Sequence, residues 1–142
     1  MIVDQGDEFT TAGGEAFTAA ALGTGNVFDA GNAVDWGAGE PLYPYVRVTH
    51  DAAFNPTTSA TFEIIAADNA ALSSNPVTLS TRTVLTASLT ADSLHQMPPL
   101  LSGSSKRYLG FKCTPNGGNA TTGKLIAGLV DKNGRPQAVN FL

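Results

Sequence analysis

Apolar and polar residues alternate with a period of two through much of the chain, the spacing of strands with one buried face. In Tyr45-Val46-Arg47-Val48-Thr49 the valines fall on one face and Arg47 on the other, because successive side chains of extended backbone point to opposite sides. Phe62-Glu63-Ile64 repeats the pattern. Residues 106–113 do so at greater length, with Leu109, Phe111 and Cys113 opposed by Tyr108, Gly110 and Lys112. Residues 77–97 contain neither Gly nor Pro, which would permit a helix. However, Thr78, Thr81, Thr83, Val84, Thr86 and Thr90 are stiff at χ1 and favour extended chain. There Leu79, Leu85, Ala87 and Leu89 share one parity, opposed by Thr78, Ser80, Arg82, Thr86 and Ser88, so a strand is expected with the leucines as its apolar face. Residues 125–130 are apolar on both faces, as in a central strand covered on both sides or one buried in an interface. Residues 17–22, 26–29 and 94–97 are weaker strand candidates, and residues 66–73 are a candidate for one helical turn.

Turn formers separate these runs: Gly23-Thr24-Gly25, Gly37-Ala38-Gly39, Asn55-Pro56, Asn75-Pro76, Pro98-Pro99, Asn116-Gly117-Gly118 and Asn133-Gly134. Gly and Asn accept positive φ, and Pro fixes φ while withholding an N–H from the ladder. Short strands in this number predict an all-β fold, a two-sheet antiparallel sandwich of jelly-roll or immunoglobulin-like type. Its expected limits are a single domain over residues 1–142. Residues 1–16, rich in Gly, Thr and acids, are read as an extended N-terminal arm that orders against a neighbour, and residues 132–142 as a C-terminal tail.

Composition narrows the classes. With 15 Gly, 8 Pro, 42% hydrophobic and 14% charged residues, the chain can fill a core and needs many turns. The net charge is -4 and the basic residues are scattered, which argues against direct nucleic-acid binding. The N-terminus carries acids where a secretory signal needs basic and apolar residues, so synthesis in the cytoplasm is expected. No apolar run reaches the ~20 residues of a spanning helix, and no membrane partner is expected. Asn119-Ala120-Thr121 reads as part of a polar loop rather than a glycan acceptor.

Catalytic groups are sparse. The only imidazoles are His50 and His95. His50 and Asp51 are adjacent at an expected strand end, where alternation would send them to opposite faces. No Gly-x-Ser-x-Gly elbow presents a nucleophile, and two isolated histidines do not make a metal site. Gly37-Ala38-Gly39-Glu40 lacks the lysine and following helix of a phosphate cradle, and Asp7-Glu8 reads as a solvated pair. Cys113 reads as a small buried hydrophobe. No enzyme, metal or cofactor is expected. Trp36, Tyr43 and Tyr45 offer a sugar-stacking platform, although a lone Trp beside a Pro-containing loop more often plugs a sandwich end or enters a protein interface.

Particular words then matter more than composition. The opening MIVDQGDEF, Asn26-Val27-Phe28-Asp29, the loop Asp35-Trp36-Gly37-Ala38-Gly39-Glu40-Pro41-Leu42-Tyr43, Lys106-Arg107-Tyr108-Leu109, and residues 122–130 stand in order along nearly the whole chain. This set resembles the jelly-roll capsid cement (decoration) proteins of short-tailed bacteriophages, from which the chain departs by Trp36 and by its last eleven or so residues. The resemblance implies a non-catalytic virion component on the outer capsid surface, a homodimer or homotrimer that clamps neighbouring major capsid protein subunits. It makes the segment with Met1, Ile2, Val3 and Phe9, and the loop with Trp36, Glu40, Leu42 and Tyr43, candidates for protein contact. The competing classes are a carbohydrate-binding or adhesion module, another structural phage protein of the tail or head-completion type, and a hydrolase on a β scaffold.

Overall fold

The computed structural model describes residues 8–11, 13–25, 27–36, 42–100 and 105–130. The strands are β1 (Ala21–Leu22), β2 (Phe28–Asp35), β3 (Tyr43–Val48), β4 (Ser59–Ala67), β5 (Val77–Leu85), β6 (Leu94–Gln96), β7 (Ser105–Asn116) and β8 (Leu125–Val130). No α-helix occurs among the described residues. A 3-10 turn, Thr86–Ser88, interrupts the long Gly- and Pro-free run directly after β5. One sheet has the order β1-β7-β4-β5 with β2 also on β7, and the other has the order β6-β3-β8. Every pairing is antiparallel.

The pairs are nested. β4 joins β5, β3 joins β6, and β1 with β2 joins β7. Outermost, Glu8 bridges Gly128 and Glu15 bridges Leu125, so residues 8–15 lie along the free side of β8. This is the order of one long hairpin rolled into two facing sheets, a jelly roll. The Phe9 N–H donates to Ala127 O at 2.8 Å, and Glu15 and Leu125 exchange two backbone bonds of 2.9 Å. Between them the Thr10 hydroxyl, wholly buried, accepts the Ala127 N–H at 3.2 Å. The segment therefore makes β8 a central strand, as its two apolar faces require. From Glu8 onward this corrects the expectation of an arm awaiting a neighbour. Residues 1–7 and 132–142 lie outside the described residues.

The segment has little periodicity because it is held by two aromatic anchors. Phe9 and Phe17 are both buried. The Phe9 ring lies 4.6 Å from Phe28 and 6.4 Å from Phe111, and Phe17 meets Phe111 edge-on at 5.7 Å. Gly25 lets the chain pass close by: a Cβ there would stand 2.0 Å from Thr10 O. Inside the sandwich Val46, Val48, Phe62, Ile64, Leu109, Phe111 and Cys113 are buried as their alternation requires.

β5 departs from the expected parity. Ile64 pairs with Ser80 but Ile65 pairs with Thr78, so Leu79 has no opposite number on β4. Leu79 itself packs partly against the core as expected, but beyond the bulge the buried residues are Ser80 and Val84, and Leu85 is 65% exposed. A bulge shifts the face of every later residue, which a period-two reading cannot see. Residues 66–73 are not helical either. The Asn69 carboxamide accepts the N–H groups of Ser73 and Ser74 and folds a turn that places Leu72 over Gly110. Leu72 joins Ile65 and Ala67 in a small second core on the outer side of the five-stranded sheet.

If Phe9 belongs to the core, Phe9→Ala should lower the unfolding free energy by about 3–5 kcal/mol. Urea denaturation measures it. A loss below about 1 kcal/mol, the usual scale for exposed positions, would return the segment to the status of an arm.

Candidate interaction surface

Strand direction sorts the connections between two ends of the sandwich. At one end, loops 49–58, 86–93 and 117–124 are tied together. The Asn55 carboxamide oxygen accepts the N–H groups of Thr121 and Thr122, both at 2.8 Å, and the Thr86 hydroxyl donates to Pro56 O at 2.7 Å. At the other end lie Glu8, Asp35, Trp36, Leu42, Tyr43, Ser105 and Val130. Trp36, Leu42 and Tyr43 are thus gathered on the end that residues 8 and 130 also reach. Glu40, Met1, Ile2 and Val3 lie outside the described residues.

Two of the gathered side chains serve the fold. Trp36 is 2% exposed and its indole N–H donates to Lys106 O at 2.9 Å, so the ring plugs the sandwich end. This is the first of the two roles expected of it, a stopper of the sandwich end, and its burial leaves no sugar-stacking face. Phe9 is removed from the contact set by its burial. Leu42 exchanges backbone bonds with Leu100, at 3.3 and 2.7 Å, and packs partly against the core. Tyr43 is half-buried on β3. Beside Trp36, Arg107 grips Asp29 through two nitrogens at 2.7 and 3.0 Å and lies over the Tyr108 ring. That bond, with a backbone bond from Gly31, holds the exposed Asp29 carboxyl below its usual range. Val27–Asp29, Asp35-Trp36 and Lys106–Leu109 therefore converge where β2 meets β7.

Chemistry is sparse in the structure as well. His50 Nε2 lies 3.2 Å from Asp51 Oδ1, contrary to the expected divergence, because both sit in a turn where strand alternation does not apply. Both side chains are largely exposed. Sequence reading missed a second pair, Ser93 and His95, whose Oγ and Nε2 are 2.9 Å apart. Its one signal is the spacing of two, which puts both on one face of an extended chain. The Ser93 hydroxyl also donates to Thr90 O at 2.6 Å, and the imidazole is buried and bonded to the Ser88 backbone. Such a serine is held by its turn rather than offered to a substrate. Burial pushes the Cys113 thiol up to about 12, so it stays protonated and inert. Among the described residues no group of three His, Cys, Asp or Glu could hold a metal.

The described residues line two open clefts of about 190 Å³ each, among others. One, between residues 16–18, Phe54 and residues 120–124, has Lys124 as its one ionisable group; the other is lined by Gly13, Arg47, Thr49, His50, Asp51 and Ile126. The outer faces of the two sheets differ. On the five-stranded sheet Thr114, Thr61 and Thr83 lie in one cross-strand row and Lys112, Glu63 and Thr81 in the next. On the other sheet Leu94, Arg47 and Ile126 form one row and Gln96, Tyr45 and Gly128 the next.

The Bbp16 family model matches residues 11–129. The chain belongs to the Bbp16 family. Membership points to a structural protein of a phage, associated with the virion. No curated protein matches the chain. The match spans the Bbp16 sandwich from Thr11 to the penultimate residue of β8, including Asp29, Trp36 and Arg107.

Two measurements probe this Bbp16-family fold. Trp36→Phe keeps most of the apolar volume but leaves Lys106 O without the indole donor. A loss of about 1–3 kcal/mol is expected in urea unfolding, and no loss would free the indole for another role. His95 is held below its usual pKa by burial first and by the Arg82 charge second, against the Ser88 backbone bond. A lowered folded pKa means that the unfolded chain takes up the proton more readily. The His95 contribution is therefore complete above the unfolded value of about 6.5 and declines as pH falls through the folded one. Thermal melting from neutral to mildly acidic pH should show this decline, and His95→Gln should flatten it; an unchanged slope would exclude His95 as the source.

Proposed function

We propose that this protein is a capsid cement protein: it binds the outer surface of a phage head and bridges neighbouring major capsid protein subunits. In this reading it acts as a homodimer or homotrimer, without catalysis or cofactor and without touching nucleic acid or membrane. The observation that carries the proposal is the Bbp16-family match across residues 11–129. The resemblance of the sequence words to cement proteins supplies the finer role, and the jelly-roll fold is the one that resemblance implies.

The physics suits the role. A ligand that binds the assembled shell but not its separated subunits stabilises the shell by linkage, about 2.7 kcal/mol per site at a hundredfold excess over Kd. Repeated over a shell, that opposes the pressure of packaged DNA. Bridging several subunits makes the later contacts intramolecular, so no single interface has to be very tight.

Electron cryomicroscopy of heads lacking the protein, with purified protein added back, tests the proposal. Added density for a β-sandwich on the outer shell between capsid subunits is expected, together with a higher disruption temperature for the heads. Bare shells, or density confined to the tail, would reject the cement role and leave another virion position.

A further inference from the structure

We infer that the outer face of the β6-β3-β8 sheet is the self-association surface, pairing two copies about a two-fold axis parallel to β3. The inference rests on the reading of the protein as a self-associating virion component and names the surface that does it. Three residues carry it. Leu94, Arg47 and Ile126 lie directly opposite one another on β6, β3 and β8. Leu94 is a 58% exposed leucine, a knob on one side of Arg47. On the other side, Ile126 and Arg47 line the cleft of about 190 Å³ that Gly13, Thr49, His50 and Asp51 complete. Knob and hollow therefore sit one strand spacing, about 4.8 Å, to either side of the same residue.

That order is self-complementary. A two-fold axis along β3 brings β6 of one copy over β8 of the other, so each Leu94 meets the cleft beside the partner's Ile126, and both contacts form at once. Such an isologous interface closes at two copies. The axis also brings the two Arg47 side chains together. Each is already paired with Asp92, at 2.9 Å, so the meeting is of two ion pairs rather than two bare cations. Tyr43 and Tyr45, half-buried on the same face of β3, extend the patch with a residue type enriched in interface cores. The opposite outer face of the sandwich presents threonines with Glu63 and Lys112, and its exposed leucine, Leu85, lies on the edge strand β5 in a row with Ser59 and Asn116. Strand addition is the competing route to a dimer. The side chains of Ser80 and Arg82 oppose it by occupying the backbone carbonyls of Pro98 and Gln96 just outside β6 and at its end.

The test is a pair of cysteines in the full chain. The double variant Leu94→Cys with Ile126→Cys should form a covalent dimer under mild oxidation, and neither single variant should. Cys113 contributes no background because its thiol is buried. In parallel, light scattering with size exclusion should find the unaltered protein dimeric at micromolar concentration. Leu94→Asp should raise the dimer dissociation constant about thirtyfold or more, the contribution of a hot-spot residue, while the melting of the separated chain is unchanged. An unaltered protein that is monomeric or trimeric overturns the inference, as does a double variant that does not cross-link. A monomer whose shell binding is lost on Leu94→Asp also overturns it, by giving the face to a capsid subunit. A dimer that cross-links as expected but decorates no head supports this inference and sinks the cement role instead.

Discussion

The constraint on which the structure depends is the burial of a phenylalanine cluster around Phe111. Its ring meets those of Phe9, Phe17 and Phe62 at 6.4, 5.7 and 6.1 Å. These residues come from the N-terminal segment, β7 and β4, and Phe28 of β2 adds a fifth ring beside Phe9. Each aromatic side chain removes some 150–250 Å² from water, so the cluster outweighs any single ladder of hydrogen bonds. Because Phe9 and Phe17 flank the stretch that runs along β8, the same burial lays that stretch against a strand edge. Apolar packing and edge closure are one event here, since the rings cannot be buried without the backbone between them covering β8.

Edge closure is a general feature of the molecule. Exposed strand edges invite pairing with other chains. On the far side of the sandwich, β5 carries a bulge at Leu79, and Arg82 and Ser80 reach across to the carbonyls of Gln96, at 2.5 Å, and Pro98, at 2.7 Å. On the near side, β2 leaves its register between Asp29 and Val34 in an exposed excursion that turns at Gly31. With its edges bulged, bridged or covered, the fold leaves faces and ends for its partners.

What the sequence made legible follows the same physics. Val46 and Val48, and Leu109, Phe111 and Cys113, were readable because each run is straight and pairs without a bulge, so alternation maps directly onto burial. β5 was readable as a strand and misread as a surface, since one unpaired residue, Leu79, reverses the faces. Phe9 and Thr10 were opaque for a different reason. Their burial depends on contacts with residues more than a hundred positions away, at Ala127 and Phe111, and a Gly-, Thr- and acid-rich segment carries no local trace of that. The Trp36 plug was legible as one of two alternatives, and it took the bond to Lys106 O to choose. Of the contact candidates, the gathering of Leu42 and Tyr43 at one end was implied by strand order, but the self-complementary row Leu94-Arg47-Ile126 was not. It requires cross-strand register, which neither propensity nor periodicity encodes.

The two ends of the sandwich divide the work of such a fold. One is locked by Asn55, Thr86 and Thr121, whose hydrogen bonds tie three loops into one unit. At the other, Trp36 is bonded to Lys106 and Leu42 to Leu100, and Ser105 lies opposite Asp35 in the β2–β7 ladder. One end is thus held by side-chain bonds between loops and the other by a buried ring and backbone pairing, and the phenylalanine cluster lies in the same core as that ring.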